Sequence, residues 1–248
     1  VRDVAIAAGK IAAVAEKLNP AAALKTVDVS GLHVTPGLID IHAHVYTGTG
    51  EPRSYAGDNS VYPDGFALRV GVTTVVDAGG AGWRNFDDFK TRVIDRSKTR
   101  VLAFLNIVGN GMRGGKFEND LADMEVKPTA DMALRHPGLI VGIKTAHYTG
   151  PEWAPVERAV EAGTVANIPV MVDFGSARVR TIAELFTKYF RPGDIFTHMY
   201  GGNRGEQDRA TLGPSQAVIE ARKKGILFDV GHGGGSFRWR VAVPMMKA

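Results

Sequence analysis

Two histidines one residue apart, His42-Ala43-His44, close the apolar run Gly37-Leu38-Ile39-Asp40-Ile41. On a strand, side chains at i and i+2 point to the same face. Both imidazoles would then project together from the carboxyl end of a buried strand, where a metal ion can be held. Further ionisable residues stand at the ends of later apolar runs. Lys144 closes Val141-Gly142-Ile143-Lys144, Asp173 closes Pro169-Val170-Met171-Val172-Asp173, His198 closes the run from Asp194, and His232 follows Asp229-Val230-Gly231. A lone cation at the end of a buried strand carries a desolvation penalty that its function must justify. The chain has no cysteine, so a metal would have to draw on His, carboxylate or a modified side chain.

The elements that must position these groups begin at Pro36, where apolar runs start to alternate with amphipathic segments. Strands are expected at 37–41, 72–77, 101–108, 139–144, 168–173, 194–198 and 226–230. Each run is nearly continuous in apolar residues, as in parallel strands covered on both faces. Helices are expected at 64–70, 86–97, 120–135, 155–167, 181–190 and 215–224, with a seventh from Ser236 toward Lys247 disturbed by Pro244. The repeat length of about 25–40 residues is that of a βαβ unit.

Seven β-then-α units point to a TIM (β/α)8-type barrel of which seven of eight units are present. The competing doubly wound sheet has no support from a glycine fingerprint after its first strand, where histidines stand instead. Residues 1–34 read separately as short strands at 3–7, 11–15, 27–29 and 32–34, the first two joined as a hairpin through Ala8-Gly9-Lys10. The expected domains are therefore 1–34 and 35–248, with the chain cut at both ends and an eighth unit lying beyond Ala248. Active sites of such barrels gather at the carboxyl ends of the strands, where five of the runs carry His, Lys or Asp.

At 248 residues, with 44% hydrophobic and 23% charged residues, the composition is that of an ordinary globular chain. Its net charge of +4 comes from scattered Lys and Arg, which argues against nucleic-acid binding. No run reaches the length of about 18 apolar residues that a membrane-spanning helix requires, and no signal peptide is recognisable at Val1-Arg2-Asp3-Val4. A cytoplasmic setting is the expectation, and a homo-oligomer is compatible with it by base rate.

The run Thr35-Pro36-Gly37-Leu38-Ile39-Asp40-Ile41-His42-Ala43-His44 resembles the first-strand signature of the amidohydrolase superfamily. Gly142-Ile143-Lys144 and Thr197-His198-Met199-Tyr200-Gly201-Gly202 are similar to its fourth- and sixth-strand motifs. The likeness extends along the whole chain, and within the superfamily it is nearest the dihydroorotase-like amidohydrolase/deacetylase metallohydrolases. It implies that residues 1–34 are part of a small β-sandwich and that the barrel holds one or two divalent ions, zinc by default. His42 and His44 would bind the more buried ion and His198 the second, with Lys144 carboxylated to a bridging carbamate. The chemistry implied is hydrolysis of an amide or ester in a small molecule by metal-activated hydroxide, with deacetylation as the leading substrate class. Cyclic amide hydrolysis of the dihydroorotase type is the near alternative. A non-catalytic barrel that only binds is the rival from another class.

Two departures from the family pattern stand out. The fifth strand offers Asp173 where a histidine is usual, so either Asp173 or His147, three residues after Lys144, would complete the ligand set. The eighth-strand aspartate that serves the family as ligand and proton shuttle would lie beyond Ala248. No catalytic acid or base is assignable within the chain, and low turnover is expected of it. His232, in a glycine-rich loop that lets backbone approach a ligand, is a candidate for substrate contact. So is Arg113 in the loop 109–116, whose guanidinium could hold a carboxylate. The segment 45–63 is a candidate lid, with Tyr46, Arg53 and Tyr55 as further contacts. His33 and His136 read as structural or solvent-facing.

Overall fold

The computed structural model describes residues 2–175 and 179–248. It divides into two compact units, Val1–Pro36 and Gly37–Ala248. In the first, β1 (Asp3–Ala7) and β2 (Lys10–Ala15) form an antiparallel hairpin. Its turn places Ala8 and Gly9 at φ 49° and 72°, the left-handed pair that matches hairpin twist. The strands expected at 27–29 and 32–34 do not form; that stretch is irregular. Val27, Val29 and Leu32 are exposed, and β-branched residues make a strand only where a neighbouring strand or a packed face receives them.

The second unit is built on seven strands: β3 (Leu38–Ala43), β4 (Val72–Gly82), β5 (Arg100–Asn106), β6 (Ile140–Thr145), β7 (Val170–Val172), β8 (Ile195–Phe196) and β9 (Leu227–Phe228). They pair in chain order, every pair parallel. Helices lie between them, among them Phe86–Arg92, Val126–Arg135, Ala154–Val165 and Gln216–Lys224, and Trp239–Lys247 follows the last strand. Pro244 is accommodated inside that final helix. The helix expected at 181–190 is instead one short turn, Ile182–Glu184, running into a wider π turn, Leu185–Tyr189. The sheet curls far enough that His42 on its first strand touches Asp229, directly after its last.

Alternation along β4 shows how the two faces are filled. Val75 joins the large cluster beneath the helices, whereas Val76 and Ala78 join Phe104, Met171 and Ile195 in a second cluster on the other face. Phe104 explains the glycine inside β6: a Cβ on Gly142 would lie 2.4 Å from the Phe104 ring. The second cluster forms the floor from which the strand-end residues rise.

Candidate active site

The carboxyl ends of β3, β6, β7, β8 and β9 bring His42, His44, Lys144, Asp173, His198 and Asp229 into one region. The His42 and His44 rings lie 5.6 Å apart and the His42 and His198 rings 5.1 Å apart. Burial, reinforced by the Lys144 charge, holds His42 down to about 4, and burial holds His44 well below the usual imidazole value. Both are therefore neutral near pH 7. His44 Nδ1 is buried without a hydrogen-bond partner.

Three imidazoles have Nδ1 committed to an oxygen. His42 Nδ1 lies 2.7 Å from Asp229 Oδ2 and 2.9 Å from Thr197 Oγ1, whose hydroxyl donates to the same carboxylate at 2.5 Å. His198 Nδ1 lies 2.7 Å from the carbonyl oxygen of Gly231, and His147 Nδ1 lies 2.5 Å from Glu118 Oε2. Carbonyls and carboxylates only accept, so each Nδ1 carries the proton, and a neutral ring then presents a free lone pair at Nε2. Metal-binding imidazoles are commonly oriented in this way, through the ring nitrogen that does not bind the ion.

His147 Nε2 and His198 Nε2 both stand 3.3 Å from Asp173 Oδ2. Two nitrogen lone pairs facing one carboxylate oxygen repel unless a proton or a cation lies between them. A tetrahedral ion with bonds of about 2.0–2.1 Å spaces its donors about 3.3–3.4 Å apart, so both contacts have the length of a ligand-to-ligand edge. No three His, Asp or Glu side chains among the described residues close into a complete metal cage. Asp173 Oδ1 receives Arg204 at 2.9 Å. Burial raises the Asp173 carboxyl, but His198 and the Arg204 charge outweigh it and hold the group well below the ordinary range. Burial likewise opposes a charged His147, yet Glu118 and Asp173 outweigh it and the imidazole is raised.

Lys144 is 1% exposed, with Nζ 3.4 Å from Met171 Sδ, and no carboxylate forms an ion pair with it among the described residues. Burial brings its ammonium down to about 8, so a substantial fraction is neutral amine at mildly alkaline pH. Its stem passes Gly79, whose φ of 97° and missing side chain make the space; a Cβ there would stand 2.6 Å from Lys144 Cγ. Beneath His44, fully buried Asp77 accepts from the backbone of Val45 at 2.8 Å and of Gly80 at 2.5 Å. Burial lifts its carboxyl to about 6 despite these bonds.

The segment after β3 is tied down at several points. Arg113 pairs with Glu51, and the Ala56 amide donates to the Met112 carbonyl at 3.0 Å. The Arg113 guanidinium also reaches Asn110 and lies over Phe117, so protein groups engage it on several sides. Tyr55 lies over the site, its ring 4.5 Å from His44 and 5.6 Å from His147. Tyr46 instead turns into the core and donates to Asp88 at 2.6 Å. Arg53 is exposed. His232 is exposed against Phe237, at 4.9 Å between rings, and His136 packs on Phe86.

Asp77 closes an apolar run just as Asp173 does, and Thr197 and Asp229 each stand one residue before the end of another, a signal that could have marked them. Glu118 and Arg204 lie in connecting segments without periodic pattern and carry no such signal.

The described residues thus form a curled, all-parallel seven-stranded sheet with helices between its strands and histidines along its carboxyl rim. No family model matches the chain. Over 241 residues it is 30% identical to a deacetylase of Brucella anthropi, an alignment covering 94% of this chain and 58% of that protein. The crystal structure of an adenine deaminase superposes with a TM-score of 0.88 at 30% identity, over 99% of this chain and 66% of the other. A dihydroorotase crystal structure gives 0.79 at 29%, over 97% and 64%. The chain belongs to the amidohydrolase superfamily. It spans less than two thirds of the length of the relatives it matches.

Proposed function

We propose that this chain carries the metal centre of a hydrolase that cleaves an amide or ester bond in a small molecule, with acetylated compounds as the leading substrate class. The observation that carries this reading is the convergence of His147 Nε2 and His198 Nε2 on Asp173 Oδ2, beside the neutral pair His42 and His44. Two ring nitrogens drawn onto one buried carboxylate oxygen, with the His147 side chain partly exposed, suit a cation or a proton between them, and the orphaned His44 Nδ1 is a donor atom without another use. Donors of nitrogen and oxygen suit several divalent ions, zinc first among them.

In this reading His42, His44, Lys144, His198 and the pair Asp173 and His147 hold one or two ions. When bound, a divalent ion polarises a carbonyl group and makes water more acidic. The chain's own residues prepare that setting. Asp229 and Thr197 fix the His42 ring, and burial keeps His44 neutral. Arg204 restrains Asp173, and Tyr55 narrows the approach above His44. Neutral Lys144 is a nucleophile for carbon dioxide: a nitrogen–carbon bond forms, the nitrogen loses its proton to solvent, and an anionic carbamate replaces a cation. Ring opening of a cyclic amide would use the same residues, and the dihydroorotase likeness favours it as the second reading.

The same likenesses support placing the seven strands in an eight-stranded (β/α)8 barrel over 35–248, and residues 1–34 in a small β-sandwich. The first test is metal analysis of the purified chain after equilibration with zinc, manganese or nickel and removal of free ion. About one or two ions per chain are expected, with acetate release from acetylated amines slow at most and abolished by a chelator. A wild-type chain that retains no ion would overturn the proposal.

A further inference from the structure

We propose that Glu118 is a positioning residue that makes His147 the imidazole replacing the one absent from β7. The proposal rests on the metal reading above and adds a specific assignment to it. Glu118 ends the short helical turn Gly115–Glu118 after β5 and is 3% exposed. Both its oxygens are engaged: Oε1 accepts from the Gly114 amide at 3.0 Å, and Oε2 accepts from His147 Nδ1 at 2.5 Å. The first bond anchors the carboxylate independently of the histidine, so it acts as a fixed acceptor. With Nδ1 held there, Nε2 points at Asp173 Oδ2.

The backbone supplies a second, independent observation. His147 and His198 adopt φ of 58° and 60°, in the left-handed region that non-glycine residues rarely adopt. Strain of this kind persists only where the surroundings over-determine it, and here both strained residues aim Nε2 at one carboxylate oxygen. The β7 strand ends at Val172, and Asp173 after it offers carboxylate oxygens and no ring nitrogen. The loop after β6 does so instead.

The two loops are also tied by a contact that never touches the imidazole. Asn119 Oδ1 accepts from the Thr149 amide at 2.8 Å and from its hydroxyl at 2.7 Å. That contact separates a positioning role from a purely structural one, because Thr149→Val loosens the same two loops and leaves His147 with Glu118. The experiment compares wild type, Glu118→Ala, His147→Ala and Thr149→Val in the 248-residue chain. Zinc and cobalt binding are followed by titration calorimetry and by the visible cobalt spectrum, and ¹⁵N spectra of the metal-free chain at alkaline pH, where His147 is neutral, report the histidine tautomers.

Glu118→Ala should weaken ion binding by about 10–100-fold, the usual loss when an orienting partner is removed, and His147→Ala, which removes the donor itself, by at least as much. Glu118→Ala should also shift the His147 signals away from the Nδ1–H form, and Thr149→Val should change neither. Equal effects of Glu118→Ala and Thr149→Val, or a Glu118→Ala chain that binds as wild type does, would overturn the assignment while the metal centre stands. A wild-type chain that takes up no ion would overturn both.

Discussion

The buried histidines make a quantitative demand on how the metal-free chain responds to acid. His42 is held down to about 4 and His44 well below its ordinary value, while an unfolded histidine titrates near about 6.5. At pH 5 each is protonated when unfolded and neutral when folded, so each contributes one extra proton to the unfolded chain. Asp77 acts in the opposite sense. Raised to about 6, it is protonated in the folded chain at pH 5 and ionised in the unfolded one. Asp173 and Asp229, both lowered, are ionised in both states there, and His147, which is raised, is protonated in both. Two protons gained less one leaves about one extra proton on the unfolded chain, and stability then rises with pH at about 1.4 kcal/mol per unit around pH 5.

Replacing His42 with Asn, whose amide keeps a donor near the Nδ1 position, should bring that slope close to zero. Replacing Asp77 with Asn removes the opposing contribution and should roughly double the slope, to about 2.7 kcal/mol per unit. The assay is urea denaturation with a chelator present at several pH values between 4.5 and 5.5, each fitted for unfolding free energy. A wild-type slope that survives His42→Asn unchanged would refute the argument, because the buried imidazole would then not be the group that titrates.

Three further outcomes follow from contacts already described. Asp229→Ala should weaken zinc binding by about 10–100-fold, measured by competition with a chromophoric chelator, and Asp229→Asn should lose less because one oxygen still accepts from His42. Gly79→Ala should cost about 1–3 kcal/mol in chemical denaturation, since the new methyl meets the Lys144 stem in a left-handed backbone. Lys144→Met should stabilise the metal-free chain at pH 7, where wild type bears a buried cation lowered to about 8, and should remove the carbamate signal expected from ¹³C-bicarbonate NMR.

Much of the frame was legible because its cause is local and periodic. Apolar runs mark β4 to β8 since strands covered on both faces have no polar side, β3 and β9 carry such runs although Leu38, Ile39 and Leu227 are exposed, and the residue ending each run falls on the rim. The same logic located His42, His44, Lys144, Asp173 and His198. What could not be read depends on contacts distant in sequence. Glu118 meets His147 across 29 residues and Asp229 meets His42 across 187, and no spacing rule connects them. The misplaced strands at 27–29 and 32–34 failed for a related reason: β-propensity describes a residue's fit to a neighbouring strand, and the first unit provides only the β1–β2 pair.

The charge inventory of the rim explains why the aspartate on β7 is compatible with an ion-binding role. Asp173, Asp229 and Glu118 are all buried. Against them stand Arg204, bound to Asp173, and Lys144, whose charge burial weakens. With neutral imidazoles near pH 7, these three carboxylates and Asp77, lifted only to about 6, face the guanidinium and a lysine that is still largely ammonium, leaving an excess of about two negative charges in a region that solvent screens poorly. Without an ion, protonation of His147 relieves part of that excess, which accounts for its raised value. A divalent cation relieves it more completely, and its arrival displaces the proton from His147 Nε2. Under the proposed assignment, Asp173 after β7, where the family resemblance implies a histidine, adds negative charge and offers no ring nitrogen, and His147, held by Glu118, would return that donor from the neighbouring loop. The expected signature is proton release on ion binding, seen as a buffer-dependent enthalpy in calorimetry; a binding enthalpy that is the same in every buffer would contradict it.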